Sequence, residues 1–99
     1  MAINIKFVGA LRHIAGKSKK VTIDNNNCIA NFTVNDLIQK TITDIPEIKA
    51  DIITQQTNGA TKLNVLILVN DREISVLNGI DTVLSNGDEV VFIPVVHGG

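Results

Sequence analysis

The chain has one cysteine, two prolines, two histidines, three phenylalanines and neither tryptophan nor tyrosine in its 99 residues. Each scarcity removes a class of protein. A single thiol, Cys28, closes no internal disulfide and supplies no Cys-rich zinc cluster, so the fold has to stand on packing alone, as suits a reducing cytoplasm. Phe7, Phe32 and Phe92 are too few for the stacked platforms on which RNA-binding sheets and single-strand binders depend. Nine basic and ten acidic side chains leave a net charge of −1, without the positive field that nucleic acid or an anionic membrane requires. The longest unbroken apolar run, Val65 to Val69, is far shorter than a bilayer span, and the N-terminus lacks a secretory apolar region. The glycines at 9, 16, 59, 79, 87, 98 and 99 never form GxGxxG or GxxxxGK, which excludes those phosphate-cradling loops. His13 and His97 fall in no HxxH or HxxE spacing, so no metal is expected. No histidine neighbours Cys28, which reads as a small buried hydrophobe rather than a nucleophile.

What remains is ordinary globular usage, 44% apolar and 19% charged, in a length that supports one domain. The charge is uneven, basic before residue 50 and acidic after it. Arg12, Lys17, Lys19 and Lys20 form the one basic cluster, which reads most simply as a solvated turn.

Ile3, Ile5 and Phe7 alternate with Asn4 and Lys6, the period of a half-buried strand. Residues 11–19 break that pattern and read as a long connection to a second short strand at Val21 and Ile23. Thr33 followed three residues later by Asp36 is a helix start. Val34, Leu37, Ile38, Ile42 and Ile45 then recur on one helical face. Pro46 ends that helix and suits the first turn of another, over 47–53. Residues 54–62 are polar, carry Asn58-Gly59 and read as a loop. Leu63 to Val69 is apolar on both faces and reads as a central strand. A turn at Asn70-Asp71 leads to an edge strand over 74–77, and a last strand runs from Glu89 to Ile93, stopped by Pro94. The order predicts an α+β domain: a mixed four- to five-stranded sheet with one main helix on one face. One helix cannot cover both faces, so apolar side chains on the other face would mark a partner surface. Val90 and Phe92 point one way and Val91 and Ile93 the other, and the pattern alone does not choose between the pairs; Leu66 and Leu68 pose the same question. Coverage of both faces by loops such as 11–19 is the alternative.

The chain closes with Pro94-Val95-Val96-His97-Gly98-Gly99. Two glycines with a free α-carboxylate, placed directly after a strand, suit an extended peptide that enters a narrow cleft and leaves its last carbonyl carbon open to attack. A terminal carboxylate, with a pKa of roughly 3.3–3.7, is an anion at neutral pH and a poor electrophile until it is activated. Joining it to AMP makes a mixed anhydride, which sulfur converts to a thiocarboxylate or a lysine amine to an isopeptide.

The segments Val69-Asn70-Asp71-Arg72-Glu73-Ile74 and Ser85-Asn86-Gly87-Asp88-Glu89-Val90-Val91-Phe92-Ile93-Pro94, with Gly98-Gly99, resemble the ubiquitin-like sulfur-carrier family: the small subunit of molybdopterin synthase (MoaD), the thiamine sulfur carrier (ThiS) and the Urm modifiers. Leu11-Arg12, Ala15-Gly16-Lys17 and Thr33-Val34-Asn35-Asp36-Leu37 extend the likeness along the chain, and it is closest to MoaD-type or archaeal MoaD/Urm-like members. The single proline of Ile93-Pro94-Val95 and the ending His97-Gly98-Gly99 look more like the Urm type.

The resemblance implies a ubiquitin-like β-grasp domain over residues 1–94 with a flexible tail over 95–99. It implies a protein cosubstrate rather than an enzyme, and no bound cofactor. Gly99 would be adenylated by an E1-like adenylyltransferase of the MoaB/MoeB/ThiF-like class that uses ATP and magnesium, and would carry AMP and then sulfur covalently. A rhodanese or cysteine desulfurase would donate the sulfur. The acceptor expected first is molybdopterin, with the large subunit of its synthase as partner; the alternative is tRNA thiolation or conjugation to lysines. Val90 and Phe92 would face the helix, while Ile93, Val91, Leu66 and Leu68, with Pro94, Val95, Val96, His97 and Gly98, would meet the partner.

Overall fold

Alternation decides the first strand, β1 (Ala2–Phe7): Ile3, Ile5 and Phe7 are buried while Asn4 and Lys6 are exposed. The last strand, β7 (Glu89–Pro94), buries Val90 and Phe92 in the same manner. The two lie side by side in parallel, Ile5 opposite Val90 and Phe7 opposite Phe92. The two rings meet edge to face with centroids 5.7 Å apart and planes at 89°, a geometry worth about 0.5–1.5 kcal/mol beyond its buried area. The computed structural model describes residues 1–23, 31–57 and 60–95, leaving out the side chains of 55–57 and 60–61.

Antiparallel strands flank this central pair. β2 (Ser18–Thr22) pairs with β1, and β5 (Val65–Val69) pairs with β7. A two-residue β6 (Arg72–Glu73) completes the order β2-β1-β7-β5-β6. Helix α2 (Val34–Asp44) covers one face and starts on a reciprocal cap. The Thr33 N–H donates to Asp36 Oδ2 at 2.9 Å, and the Asp36 N–H donates to Thr33 Oγ1 at 3.2 Å, so the first orphan amides of the helix are satisfied locally. Its inner face presents Val34, Leu37, Ile38 and Thr41, all fully buried. Thr41 tolerates that position because its hydroxyl donates to the Leu37 carbonyl at 2.7 Å, so no hydroxyl is buried unpaired. At the other end of the helix Asp44 meets Lys19 of β2 at 3.4 Å.

Four sequence expectations change. The 11–19 connection contains a short helix, α1 (Leu11–Ala15), whose Leu11 is buried in the same core as the sheet. It escapes pattern reading because five residues cannot show a helical period and Ala10 gives no side-chain cap. β2 begins at Ser18 rather than Val21, since backbone pairing with β1 proceeds regardless of lysine side chains. The polar 54–62 stretch, expected to be a loop, forms a hairpin of its own, β3 (Ile53–Thr57) with β4 (Ala60–Leu63). The edge strand expected over 74–77 is a 3-10 turn, Ile74–Val76, which turns Ile74 into the core instead of along the sheet. Glu73 caps it by accepting the Ser75 N–H, and that backbone hydrogen bond holds the Glu73 carboxyl below its ordinary range. The second helix lies where it was expected, as a 3-10 turn Pro46–Ile48 running into α3 (Lys49–Ile52). Cys28 falls outside the described residues. Among the described residues no helix is long and apolar enough to cross a membrane.

The core lies between the sheet and α2, so neighbours along one strand make opposite predictions. Ile67 is 1% exposed and Leu66 is 45% exposed. Ile67→Ser should cost about 2–5 kcal/mol in chemical denaturation, against less than about 1 kcal/mol for Leu66→Ser; equal costs would mean that the faces are assigned wrongly. Thr33→Ala removes the helix cap and should lower stability by about 1 kcal/mol, or about 4–8 °C in Tm, read by calorimetry.

Candidate functional site

The sheet face turned away from α2 carries its apolar side chains around the end of β7. The register places Leu66 opposite Ile93 and Leu68 opposite Val91. On the other side of β7, Lys6 lies opposite Val91. The Val8 N–H donates to the Phe92 carbonyl at 3.1 Å, which continues the ladder by one residue and sets Val8 beside Ile93. A row Val8, Ile93, Leu66 therefore crosses three strands, and a second row Lys6, Val91, Leu68 lies beneath it. Val91, Ile93 and Leu68 are half-buried, whereas Leu66 and Val8 are 45% and 39% exposed. Val90 and Phe92, at 0% exposure, point into the core. The choice that alternation had left open is made by α2, which covers that side only.

Polar groups border these rows. Lys6 Nζ lies 3.4 Å from Glu89 Oε2 with both side chains about half exposed, so the pair contributes little to stability and serves as a wet rim. An apolar centre with such a rim is the usual form of a protein interaction surface. The register that presents it is pinned at the far end of the strands. Asn70 and Asp71 take positive φ values of 49° and 70°, the geometry of a tight two-residue hairpin. Asn70 Nδ2 donates to Asp88 Oδ1 at 2.9 Å, and the Glu89 N–H donates to Asn70 Oδ1 at 3.0 Å. A slip of one residue would turn Val91 and Ile93 inward.

β7 runs through Pro94, and Val95 keeps one further tie, its N–H donating to the Asn64 carbonyl at 3.2 Å. Pro94 lies against Gly9, where an added Cβ would come within 3.6 Å of the proline ring. That distance is ordinary contact, so the φ of +63° at Gly9 is what calls for glycine there. Val95 itself is 36% exposed and adds to the apolar row. Of the predicted site residues, the structure brings together Leu66, Leu68, Val91, Ile93, Pro94 and Val95. Val96, His97, Gly98 and Gly99 lie outside the described residues. Val8 is the member that pattern reading missed. A strand read to end near Gly9 takes in Val8, but its outward positions are judged by Asn4 and Lys6, both polar, so an apolar residue at the next outward position is passed over.

The sequence and the fold have parallels among known proteins. A family model described as Urm1 (ubiquitin related modifier) matches residues 2–99. A ubiquitin-related modifier 1 from Schizosaccharomyces pombe is 31% identical over 101 residues, covering 100% of both chains. The solution structure of Urm1 from Trypanosoma brucei superposes with a TM-score of 0.73 at 28% identity, covering 99% of this chain and 95% of that one. The small archaeal modifier protein 1 from Methanosarcina acetivorans reaches a TM-score of 0.77 at 24% identity, over 99% of this chain and 96% of that one, a likeness that speaks for the fold alone. The fold is thus the α+β ubiquitin-like β-grasp, and such small proteins are carriers or modifiers rather than catalysts. With its family model matched from residue 2 to residue 99, this chain belongs to the ubiquitin-related modifier family.

Proposed function

We propose that the chain is a modifier and sulfur carrier whose working group is the carboxylate of Gly99. The observation that carries this reading is the span of the family match, which runs through Gly98 and Gly99. In the first step a carboxylate oxygen attacks the α-phosphorus of ATP held with magnesium by an E1-like adenylyltransferase. Pyrophosphate leaves and an acyl adenylate forms. The outer sulfur of a cysteine persulfide, supplied through a rhodanese or cysteine desulfurase, then displaces AMP to give an acyl disulfide. A second thiol cleaves its S–S bond, forming a disulfide with the donor cysteine and leaving a thiocarboxylate on the terminal carbon. Glycine at 98 and 99 keeps that carbon free of side chains on the approach of the nucleophile. The described body of the protein supplies a docking surface: Val8, Ile93 and Leu66 beside the strand end, with Val91 and Leu68 behind them.

The family model describes a ubiquitin-related modifier, and so does a relative that covers the whole chain. The weight therefore moves from the molybdopterin acceptor, the first expectation, to the alternative of tRNA thiolation or conjugation to lysine. The two share the activation step and differ in where the activated end goes: sulfur is passed on to the tRNA in one, and the terminal carbonyl carbon is joined to a lysine amine in the other.

Intact-mass spectrometry of the chain incubated with a candidate E1-like enzyme, ATP, magnesium and a sulfide source tests the chemistry. A mass gain matching replacement of one oxygen by sulfur, absent from a variant lacking Gly99, is expected. No gain with an enzyme shown to act on another carrier would contradict the sulfur step. Ile93→Asp should weaken binding to that enzyme by about tenfold or more, because a charge would have to be desolvated at the centre of the contact, while Tm moves by only a few degrees. Unchanged affinity would place the docking surface elsewhere.

A further inference from the structure

Two Asn-Gly dipeptides lie among the described residues, Asn78-Gly79 and Asn86-Gly87. This pair of residues can modify itself. The glycine nitrogen, with no Cβ to obstruct its approach, attacks the asparagine side-chain carbonyl carbon once its proton has passed to water or hydroxide. The new C–N bond closes a five-membered imide, and the bond to Nδ2 breaks as ammonia leaves with a proton. Water then opens the ring at either carbonyl, giving aspartate or isoaspartate, with no oxidant or reductant involved.

The structure treats the two sites differently. At 86–87 both reacting groups are held by the start of β1. Asn86 Oδ1 accepts the Ala2 N–H at 2.8 Å, and the Gly87 N–H donates to the Ala2 carbonyl at 2.8 Å. The reaction there requires the edge of the sheet to open first. At 78–79 the turn is held through other atoms. The Asn78 N–H donates to Thr82 Oγ1 at 3.1 Å, and the Asp81 N–H donates to the Asn78 carbonyl at 3.1 Å. Among the described residues, no hydrogen bond engages the Asn78 side chain or the Gly79 N–H. Asn78 is exposed, and nothing lies within 4 Å of where a Cβ on Gly79 would be.

We propose that Asn78 is a self-modification site that converts to aspartate and isoaspartate in the native protein, while Asn86 is protected by the two hydrogen bonds that its Oδ1 and the Gly87 N–H make to Ala2. The conversion reaches the core through Thr82. That hydroxyl accepts from the Asn78 N–H and donates to the Gly79 carbonyl at 2.7 Å, while the Thr82 carbonyl accepts the Val34 N–H at the start of α2 at 2.9 Å. Isoaspartate inserts one more backbone atom between residues 78 and 79. The Asn78 N–H and the Gly79 carbonyl can then no longer meet one hydroxyl, and a new negative charge stands near Asp81.

Peptide mapping of the intact protein aged at mildly alkaline pH in 18O-labelled water, with isoaspartyl methylation as a second readout, tests this. Label at residue 78 should accumulate at least about tenfold faster than at residue 86. In concentrated urea the two sites should convert at similar rates, because the dipeptides are the same. Ala2→Pro, which removes the N–H that Asn86 Oδ1 accepts, should accelerate residue 86 and leave residue 78 unchanged. Asn78→Gln should abolish the label at 78 with Tm unaltered. Comparable native rates at the two sites, or a difference that persists in urea, would overturn the proposal. So would an Ala2→Pro variant in which residue 86 stays slow.

Discussion

The parallel contact between the first and last strands is the constraint on which the rest of the molecule depends. Parallel neighbours cannot be joined by a hairpin, so between Phe7 and Glu89 the chain has to pass across one face of the sheet and return, adding β2 on one side of the central pair and β5 and β6 on the other. The chain meets that requirement with α2, the Pro46 turn and β5, and the return is fixed by Phe92 meeting Phe7 edge to face. Pairing of such distant segments carries a loop-closure cost that local contacts do not. It also places the end of the chain on the central strand of the sheet. Pro94 and Val95 are therefore held from both sides, by Gly9 and by the Asn64 carbonyl.

A sheet covered on one face only has a second consequence. Ile3, Ile5, Val90, Phe92, Ile67 and Val69 pack against the helices, and the alternation that buries them directs Val8, Val91, Ile93, Leu66 and Leu68 outward. Period-two geometry cannot hide one set without exposing the other unless the second set is polar. Along β1 it is, with Asn4 and Lys6; along β5 and the end of β7 it is not. That asymmetry gathers the outward apolar side chains on β5, the end of β7 and Val8. Leaving Leu66 in water costs little compared with burying a charge, so the surface is compatible with a stable monomer.

Much of this was legible in the sequence where geometry and composition agree. Strong alternation marked β1 and β7, the Thr33 and Asp36 spacing marked the helix start, and Asn70-Asp71 marked a turn. The departures have a common cause, backbone pairing that is indifferent to side-chain polarity. The 53–63 hairpin and the lysine-rich start of β2 form because neighbouring backbone completes their hydrogen bonds, although composition argues for loops. β6 is short for the converse reason: Ile74 has a place in the core, and the chain leaves the ladder to fill it. Thr41 was unreadable as a core residue because its burial depends on one hydroxyl bond inside its own helix. The partner side of the site was legible only as a pair of alternatives, Val90 and Phe92 or Val91 and Ile93, until the position of α2 separated them.

The division of labour within the chain follows from these placements. The described body presents an apolar surface and an anchored strand end, while the proposed reactive carbon lies four residues beyond Val95. Under the proposed function the activating enzyme and the final acceptor react in turn at the same carbon. Both would therefore contact the Val8, Ile93 and Leu66 row. A surface that small admits one partner at a time, so transfer requires release from the first before engagement of the second. Tight binding to either would slow the cycle, and the exposed Lys6–Glu89 ion pair and the half-buried Val91, Ile93 and Leu68 at this face suit partners that leave again.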